Sequence, residues 1–504
     1  MKHTEVLKND WKQFSLRQRM SPFPNYMSME TISKEMKQVV GAAYKQVLLI
    51  YRENLQYAFL SGSEYDRVGK YILNKTKKDS QLFHRLVQKD NKYGRELLKF
   101  VKAQAKKDLK KQTGPQLART HAQFEKLYKR VYRHYFPIFA LDGVFMKYMR
   151  SYIEAKSLSD ERVGEYLNTL ITEPRAMVAK QEERASLRLA VSIDNNQKWR
   201  TAVLKPKVAQ SIKTITKIPA LKKRIQEHEK KYFWVTRDYE DPVLTFNKIV
   251  GRLRKQLKAN PQAKLNEIEQ TWRILPKERQ ATQSALGMDQ VHIKLCRSAR
   301  EGAHLKELRK TFVSQALFYY DPILKEIAHR GSLTMRQVRH LTTNDIKDML
   351  CRQADFRKEA AARVKSMVLY IVNGRAKVLS GKSADLVYQA VYKVQADVKV
   401  IKGLSASPGK AKGKVRLIMN PQEGSKLKQG EILVTVQAVP SFAPFIGRAA
   451  AMVAEGGTAL TSHPATLARE AKIPCVTAAK MATQLLKDGD AVEVDGDKGI
   501  VKRL

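Results

Sequence analysis

Cysteine is scarce in this chain of 504 residues, and the few cysteines lie far apart. They are Cys296, Cys351 and Cys475, and none has a second cysteine at C-x-x-C spacing. This pattern excludes a disulfide framework and a cysteine-based zinc site, and it fits the reduced thiols of a cytoplasmic protein.

Long hydrophobic runs are also lacking. No stretch approaches the ~18 apolar residues that a membrane-spanning helix needs, and residues 1–5 do not lead into an apolar signal-peptide core. We therefore expect a cytoplasmic protein without a membrane partner. Apolar residues nevertheless make up 43% of the chain, which is too many for a disordered protein, and the length predicts several domains.

Acidic residues are few beside basic ones: 49 Asp and Glu stand against 94 Lys and Arg, a formal net charge of +45. Such an excess raises the hypothesis of nucleic acid or another anionic partner. Residues 401–504 carry only 15 basic and 9 acidic groups, so most of the excess lies in the first 400 residues. Solvated helix faces explain the same charge, and no recognised nucleic-acid-binding motif occurs; nucleic acid is possible but not favoured.

Glycine and proline are sparse in residues 1–395, where apolar residues recur at three- and four-residue spacing. This pattern predicts an almost entirely helical part. We divide it into a basic helical domain, 1–230, and a second helical segment with a linker, 231–395. The pair Asp321-Pro322 predicts a helix start, since Asp caps helix N-termini and Pro suits the first turn.

Residues 396–504 have more glycine and short Val- and Ile-rich segments bounded by Gly, Pro or Asp. They predict a β/α domain. The expected strands are 398–402, 413–419, 431–436, 450–454, 474–477, 490–494 and 499–503, and the expected helices are 442–449, 464–471 and 479–487. The predicted fold class is multidomain: a mostly α-helical N-terminal part followed by a C-terminal β/α domain.

One segment of this domain carries residues with chemical potential. A predicted strand ends at Ala454, a glycine pair follows, and the polar turn Thr461-Ser462-His463 leads into a helix that Pro464 can open. The unpaired N–H groups and the dipole of a helix N-terminus favour an anion such as a phosphoryl group. An imidazole near its ordinary pKa of ~6.5 is largely neutral at pH 7 and can act as a nucleophile. Taken alone, a single histidine is more often an ordinary loop or capping residue.

Four ordered blocks of sequence span the same domain: Ser407–Val415, Gly430–Val434, Gly456–Pro474 and Asp488–Gly499. The first reads S-P-G-x-A-x-G-x-V, and the third contains a glycine pair, T-S-H and A-R-E. Together they resemble the phosphohistidine swivelling, or mobile, domain of the phosphoenolpyruvate-utilising enzymes. The resemblance to that family departs in two places: three residues separate the glycine pair from Thr461 where one is usual, and Pro464 replaces a small residue.

The resemblance implies that His463 is phosphorylated and dephosphorylated in each cycle, with Thr461 as a hydrogen-bond partner. The same comparison assigns support of the phosphate site to Ser462, Arg469, Glu470, Gly456 and Gly457, and it implies no metal ligand. For Arg469 and Glu470, packing of the helix is as good an explanation as contact with phosphate. The glycines are better explained by special backbone angles than by binding.

The resemblance also implies components that the sequence does not display. Residues 1–395 contain no Gly-rich phosphate loop and no ATP-grasp strand pattern. We therefore expect a phosphotransferase or phosphoryl carrier that a separate ATP-grasp protein loads with ATP and Mg²⁺, that binds no cofactor tightly and that passes the group to a small-molecule acceptor. The alternative is a basic nucleic-acid-binding or scaffolding protein with a catalytically degenerate swivelling domain.

Overall fold

The computed structural model describes residues 6, 11–18, 20–52, 54–156, 160–173, 177–237, 239–240, 242–391, 399–438, 442–457 and 463–504. The helices within these ranges are α1 (Pro22–Ser33), α2 (Glu35–Val40), α3 (Gly62–Lys78), α4 (Leu82–Gln104), α5 (Gly114–Glu154), α6 (Asp160–Ile171), α7 (Val178–Asp194), α8 (Gln197–Val203), α9 (Val208–Ile215), α10 (Pro219–Tyr232), α11 (Phe246–Lys258), α12 (Pro261–Ala285), α13 (Gln290–Arg330), α14 (Met335–Val338), α15 (Thr343–Arg352), α16 (Arg357–Lys365), α17 (Gly381–Val391), α18 (Ala443–Ile446), α19 (His463–Glu470) and α20 (Ala482–Leu485). The strands are β1 (Trp11–Gln18), β2 (Gln46–Arg52), β3 (Leu55–Ser61), β4 (Ser366–Val372), β5 (Arg375–Ser380), β6 (Val400–Lys402), β7 (Leu404–Ser407), β8 (Lys410–Leu417), β9 (Ile432–Thr435), β10 (Ala451–Ala454), β11 (Cys475–Thr477), β12 (Ala491–Asp495) and β13 (Ile500–Arg503).

The N-terminal part is mostly helical, as predicted, but it also contains a five-stranded sheet that the sequence analysis did not predict. Its order is β1-β3-β2-β4-β5, and every neighbouring pair is antiparallel. The expectation of an almost entirely helical part was therefore wrong for these strands. The reason is that the runs in β2 and β4 are continuously apolar, and periodicity does not distinguish such a run from a buried helix.

The strands β2, β3 and β4 are buried on both faces, which explains why their sequences do not alternate. On the inner face, Val47 and Leu49 belong to the large apolar core that the helices α1, α4, α5 and α13 share. On the outer face, Leu48 and Ile50 join a different cluster that includes α17 and residues of the C-terminal domain. The sheet is thus the middle layer between the helices and the C-terminal domain.

Two 41-residue helices, α5 and α13, form the framework of the helical layer. A capping box of Thr113 and Gln116 begins α5, and Asp289 caps α13. The predicted helix start at Asp321-Pro322 was wrong, since Pro322 lies inside α13. The Asp321 carboxylate instead accepts hydrogen bonds from two arginines of neighbouring segments.

A second apolar core joins the helices α7 to α11, and its buried residues run from Ala190 to Leu257. It lies on both sides of position 230, where we placed a domain boundary, and the division into 1–230 and 231–395 stays a prediction.

In the described part of the chain, no helix is long and apolar enough to cross a membrane.

The C-terminal domain is a β/α structure, as predicted, built on an eight-stranded sheet with the order β6-β13-β12-β8-β9-β10-β11-β7. The central strands β8, β9, β10 and β11 are parallel. Each predicted strand has a counterpart in the sheet, whereas β7 was not predicted. The predicted helix 479–487 is reduced to the short α20.

The C-terminal domain contacts the outer face of the five-stranded sheet with one edge. Met419 follows β8, Val436 follows β9 and Met481 follows β11, and all three pack in the outer-face cluster. Next to them the Gln484 side-chain amide donates to the Tyr57 hydroxyl at 3.3 Å. The carboxyl ends of the parallel strands β8, β9 and β11 therefore face the N-terminal part.

Candidate functional site

The candidate site begins where β10 ends. β10 lies between the parallel strands β9 and β11, and the chain leaves it through Glu455 and Gly456. The Gly456 N–H donates to the Val436 carbonyl at 2.7 Å, and its own carbonyl accepts from the Ala478 N–H at 3.2 Å. A Cβ atom at Gly456 would lie 3.0 Å from the Val436 oxygen, so a glycine suits this close approach.

The second glycine turns the chain. Gly457 has φ +93°, a left-handed conformation that glycine adopts at little cost. This angle agrees with the predicted use of Gly457 for a special backbone angle, whereas Gly456 is not among the glycines with a positive φ. The segment 458–462 follows, so Thr461 and Ser462 lie outside the described residues and their predicted roles stay predictions.

His463 is the first residue of α19. The helix α19 that it opens packs against β7, β10 and β11 of the sheet. The backbone N–H groups of the first helical turn have no intrahelical acceptors, so this position gives a bound anion hydrogen-bond donors and the positive end of the helix dipole.

Small apolar residues hold α19 against the sheet. Ala465 and Ala468 are fully buried, and both belong to the apolar core on this side of the domain. Pro464 is buried at the second helical position, where its missing N–H costs no hydrogen bond. The replacement of a small residue by Pro464 is therefore compatible with the helix start.

Arg469 lies in the last turn of α19, six residues after His463, which corresponds to about 9 Å along the helix axis. Its guanidinium donates to the Ala406 carbonyl of β7 at 3.0 Å, and burial lowers its pKa. This bond fits the packing alternative. Glu470 is exposed at the end of the helix. Phosphate contact by either residue stays a prediction.

Glu455 is a residue of the site that the sequence analysis missed. It is 5% exposed, and burial raises the pKa of its carboxyl group. The carboxylate accepts hydrogen bonds from the backbone N–H of Thr483, at 2.7 Å, and from the Thr483 hydroxyl. Glu455 therefore ties the turn after β10 to α20, the element that contacts the five-stranded sheet. An acidic residue between an apolar strand and a glycine pair was the only sequence signal.

Other reactive side chains nearby are less suited to phosphoryl chemistry. Cys475 on β11 is fully buried, and burial raises the pKa of its thiol to about 12. Its thiolate is therefore scarce at neutral pH. Among the described residues, no group of three His, Cys, Asp or Glu side chains is arranged to hold a metal ion.

Comparison with known proteins agrees with this description of the C-terminal domain. Residues 427–499 match the family model of the PEP-utilising enzyme, mobile domain. A probable phosphoenolpyruvate synthase of Archaeoglobus fulgidus is 42% identical over 133 residues, which cover 26% of this chain and 18% of the relative. The phosphoenolpyruvate synthase of Pyrococcus furiosus is 44% identical over 134 residues, which cover 26% of this chain and 16% of the relative.

A relative that is not named as a phosphoenolpyruvate synthase is similar to this chain as well. Chondramide synthase cmdD of Chondromyces crocatus is 44% identical over 108 residues, which cover 21% of this chain and 3% of that protein. The holo-form structure of Thermococcus kodakaraensis aconitase X is 22% identical and covers 21% of this chain and 98% of that one, with a TM-score of 0.17. At that TM-score the likeness carries no argument.

Residues 427–499 thus match the mobile domain of PEP-utilising enzymes, and the resemblance drawn from the motifs of the C-terminal region is confirmed. The chain spans less than a fifth of the length of these curated relatives. The activity of the whole protein is therefore a matter for proposal.

Proposed function

We propose that this protein is a phosphotransferase or phosphoryl carrier that works through His463. The supporting observation is the position of this histidine: it is the first residue of α19, beyond β10, inside a domain that matches the mobile domain of PEP-utilising enzymes. A helix start that favours anions and a nucleophilic side chain coincide there.

The proposed chemistry has two steps. In loading, an imidazole nitrogen attacks the phosphorus of the donor, a P–N bond forms, and the P–O bond to the leaving group breaks with its electron pair going to that oxygen. In unloading, an oxygen of the acceptor attacks the same phosphorus, and the P–N bond breaks with its electron pair returning to the ring. The helix N–H groups stabilise the phosphoryl oxygens in both steps.

We further propose that a separate ATP-grasp protein loads the histidine from ATP and Mg²⁺, and that a small molecule with a nucleophilic oxygen accepts the group. Positioning and charge neutralisation dominate phosphoryl transfer. The ATP-grasp protein would supply the nucleotide and metal site, and this chain would supply the nucleophile and the anion-binding helix start.

A chemical phosphoryl donor tests the proposal without the partner. We expect potassium phosphoramidate to add one phosphoryl group that is acid-labile and base-stable. His463→Ala should abolish this labelling. His84→Ala is the matched control, because His84 is an exposed histidine on α4 with 47% of its side chain accessible. Labelling that persists in His463→Ala, or that His84→Ala removes, would refute the assignment.

The loading partner is tested separately with ATP and a candidate ATP-grasp protein. With ATP labelled at both its β- and γ-phosphates, we expect label to reach this chain only when both are present and His463 is intact. A label that arrives from ATP without any second protein would contradict the proposed partner while leaving the histidine assignment in place.

A further inference from the structure

A groove with a volume of about 1070 Å³ lies between α7, α10 and α12, in the helical part of the molecule. Four cationic side chains line it, and a single carboxylate accompanies them. The cations are Arg184, Arg188, Lys231 and Arg273, and the carboxylate is Glu269. The groove therefore carries a net charge of +3 from these side chains, and the proposed phosphoryl chemistry uses none of them.

Two of the arginines are held in place. Arg184 and Arg188 both approach the same Glu269 oxygen, each at 2.8 Å. The two arginines depress the pKa of the Glu269 carboxyl, so it remains charged at neutral pH. The Arg184 guanidinium also lies over the Trp272 ring, 4.9 Å from its centre. Fixed guanidinium groups lose less conformational entropy on binding an anion than freely moving lysines.

The rest of the lining suits an extended ligand. Gln181, Asn266 and Gln270 add side-chain amides, and all three are exposed. Pockets for small molecules are mostly apolar and enclose their ligand, whereas this groove is polar and open. A positively charged groove is the arrangement with which proteins follow the backbone of single-stranded nucleic acid.

The surrounding sequence has the same bias. Residues 178–285, from α7 to α12, contain 24 basic and 11 acidic residues. A ligand longer than the groove therefore also meets a positive surface beyond it. An acidic segment of a partner protein would satisfy the charge as well, and competition by polyglutamate distinguishes it from nucleic acid.

We propose that this groove binds single-stranded nucleic acid through its phosphate backbone. Arg184 and Arg188 form a prearranged pair for phosphate groups, and Arg273 and Lys231 add further contacts. This binding is independent of the phosphoryl chemistry at His463, so it adds a second function to the chain.

The test uses the full chain and a fluorescein-labelled 12-nucleotide oligo(U), with binding followed by anisotropy at several salt concentrations. We expect a dissociation constant of about 10⁻⁵ M at physiological salt and a linear dependence on the logarithm of salt concentration. The double variant Arg188→Ala/Arg273→Ala should bind at least tenfold more weakly. The slope of the logarithm of the binding constant against the logarithm of salt concentration should be smaller by about 1.4. Each single-strand phosphate contact contributes about 0.7 to this slope, and the variant removes two such contacts.

Arg352→Ala is the matched control. Arg352 is an exposed arginine on α15, paired with Asp348 of the same helix and absent from the groove lining. We expect it to leave both affinity and slope unchanged. Equal losses in the double variant and in this control would overturn the proposal, as would no binding at low salt. Because both replaced arginines are exposed, we expect the melting temperature of the double variant to be unchanged. An unchanged melting temperature confirms that a loss of affinity reflects the groove.

Competitors separate nucleic acid from other anions. Unlabelled oligo(U) and oligo(dT) should displace the probe, while ATP and a 12-residue polyglutamate peptide should compete at least tenfold less well. Equal competition by polyglutamate would overturn the proposal in favour of an acidic protein segment. Equal competition by ATP would overturn it in favour of a small polyphosphate.

Discussion

Gly457→Ala is expected to slow the phosphorylation of His463. Gly457 has φ +93° at the point where the chain leaves the turn after β10 for His463. A residue with a Cβ atom in a left-handed conformation costs about 1–2 kcal/mol. Gly456 is anchored by hydrogen bonds on both sides, so the strain is relieved on the side that leads to His463.

The free-energy cost of the left-handed conformation sets the size of the expected decrease in the labelling rate. A penalty of about 1–2 kcal/mol lowers the population of the parental arrangement about 5- to 30-fold. We expect the rate of labelling by phosphoramidate to fall by the same factor. The free energy of unfolding should fall by no more than about 1–2 kcal/mol, because local rearrangement relieves the same strain.

Gly489→Ala is the matched control in the same domain. Gly489 has φ +90°, and a Cβ atom there would meet nothing within 4 Å. The substitution therefore introduces the same type of strain away from the phosphate site. Labelling rates and urea unfolding curves should be measured for both variants and the parent. If both variants label as fast as the parent, or if both slow equally, the reasoning about the turn before His463 is refuted.

Three further predictions concern the rest of the molecule. Asp90 is fully buried, and no described residue makes a hydrogen bond to its carboxyl oxygens. Burial raises the pKa of this carboxyl group, so the parent loses stability as pH rises above the ordinary Asp pKa of ~3.9. Asp90→Asn should therefore gain stability relative to the parent between pH 4 and pH 7 in urea unfolding, and an unchanged difference would contradict this. Burial lowers the pKa of His121, His134 and His340 to about 4. The free energy of unfolding, measured by circular dichroism, should therefore fall between pH 6.5 and pH 4, by up to about 3 kcal/mol for each histidine. Constant stability over that range would exclude three neutral buried histidines. Met481→Asp places a charge in the apolar cluster between the C-terminal domain and the five-stranded sheet, and burial of an unpaired charge is unfavourable. The contact should therefore open, and the radius of gyration from X-ray scattering should increase. An unchanged value would show that this contact does not hold the domain.

The C-terminal domain was accessible to sequence reasoning because its strands are short, apolar and bounded by glycine or aspartate. The helix that begins at His463 was predicted within one residue, since the polar turn and Pro464 mark its start. β7 escaped prediction because the segment Leu404–Ser407 has one large apolar residue, at its start, and no β-branched residue.

The five-stranded sheet was not accessible in the same way. Its central strand β2 (Gln46–Arg52) pairs with β4 (Ser366–Val372), and the paired residues are about 320 positions apart in the chain. No local pattern connects two such segments, and burial on both faces removes the alternation that marks a half-exposed strand.

Residues of the candidate site also differ in whether a local sequence pattern reveals them. The glycine pair and His463 are adjacent in sequence and were identified together. Glu455 was missed because its role depends on Thr483, which lies 28 residues later and comes close only through the parallel arrangement of β10 and β11. Asp321-Pro322 carries a true local signal for a helix start, but the tertiary packing of α13 overrides it.

Localising the phosphoryl group most directly tests the central claim. After reaction with phosphoramidate, the protein should be digested and mapped by mass spectrometry at neutral to basic pH. We predict one phosphohistidine, at His463, that disappears on mild acid treatment. An acid-stable phosphate on a neighbouring hydroxyl such as Ser462, or equal phosphorylation of exposed histidines such as His84, would contradict the account.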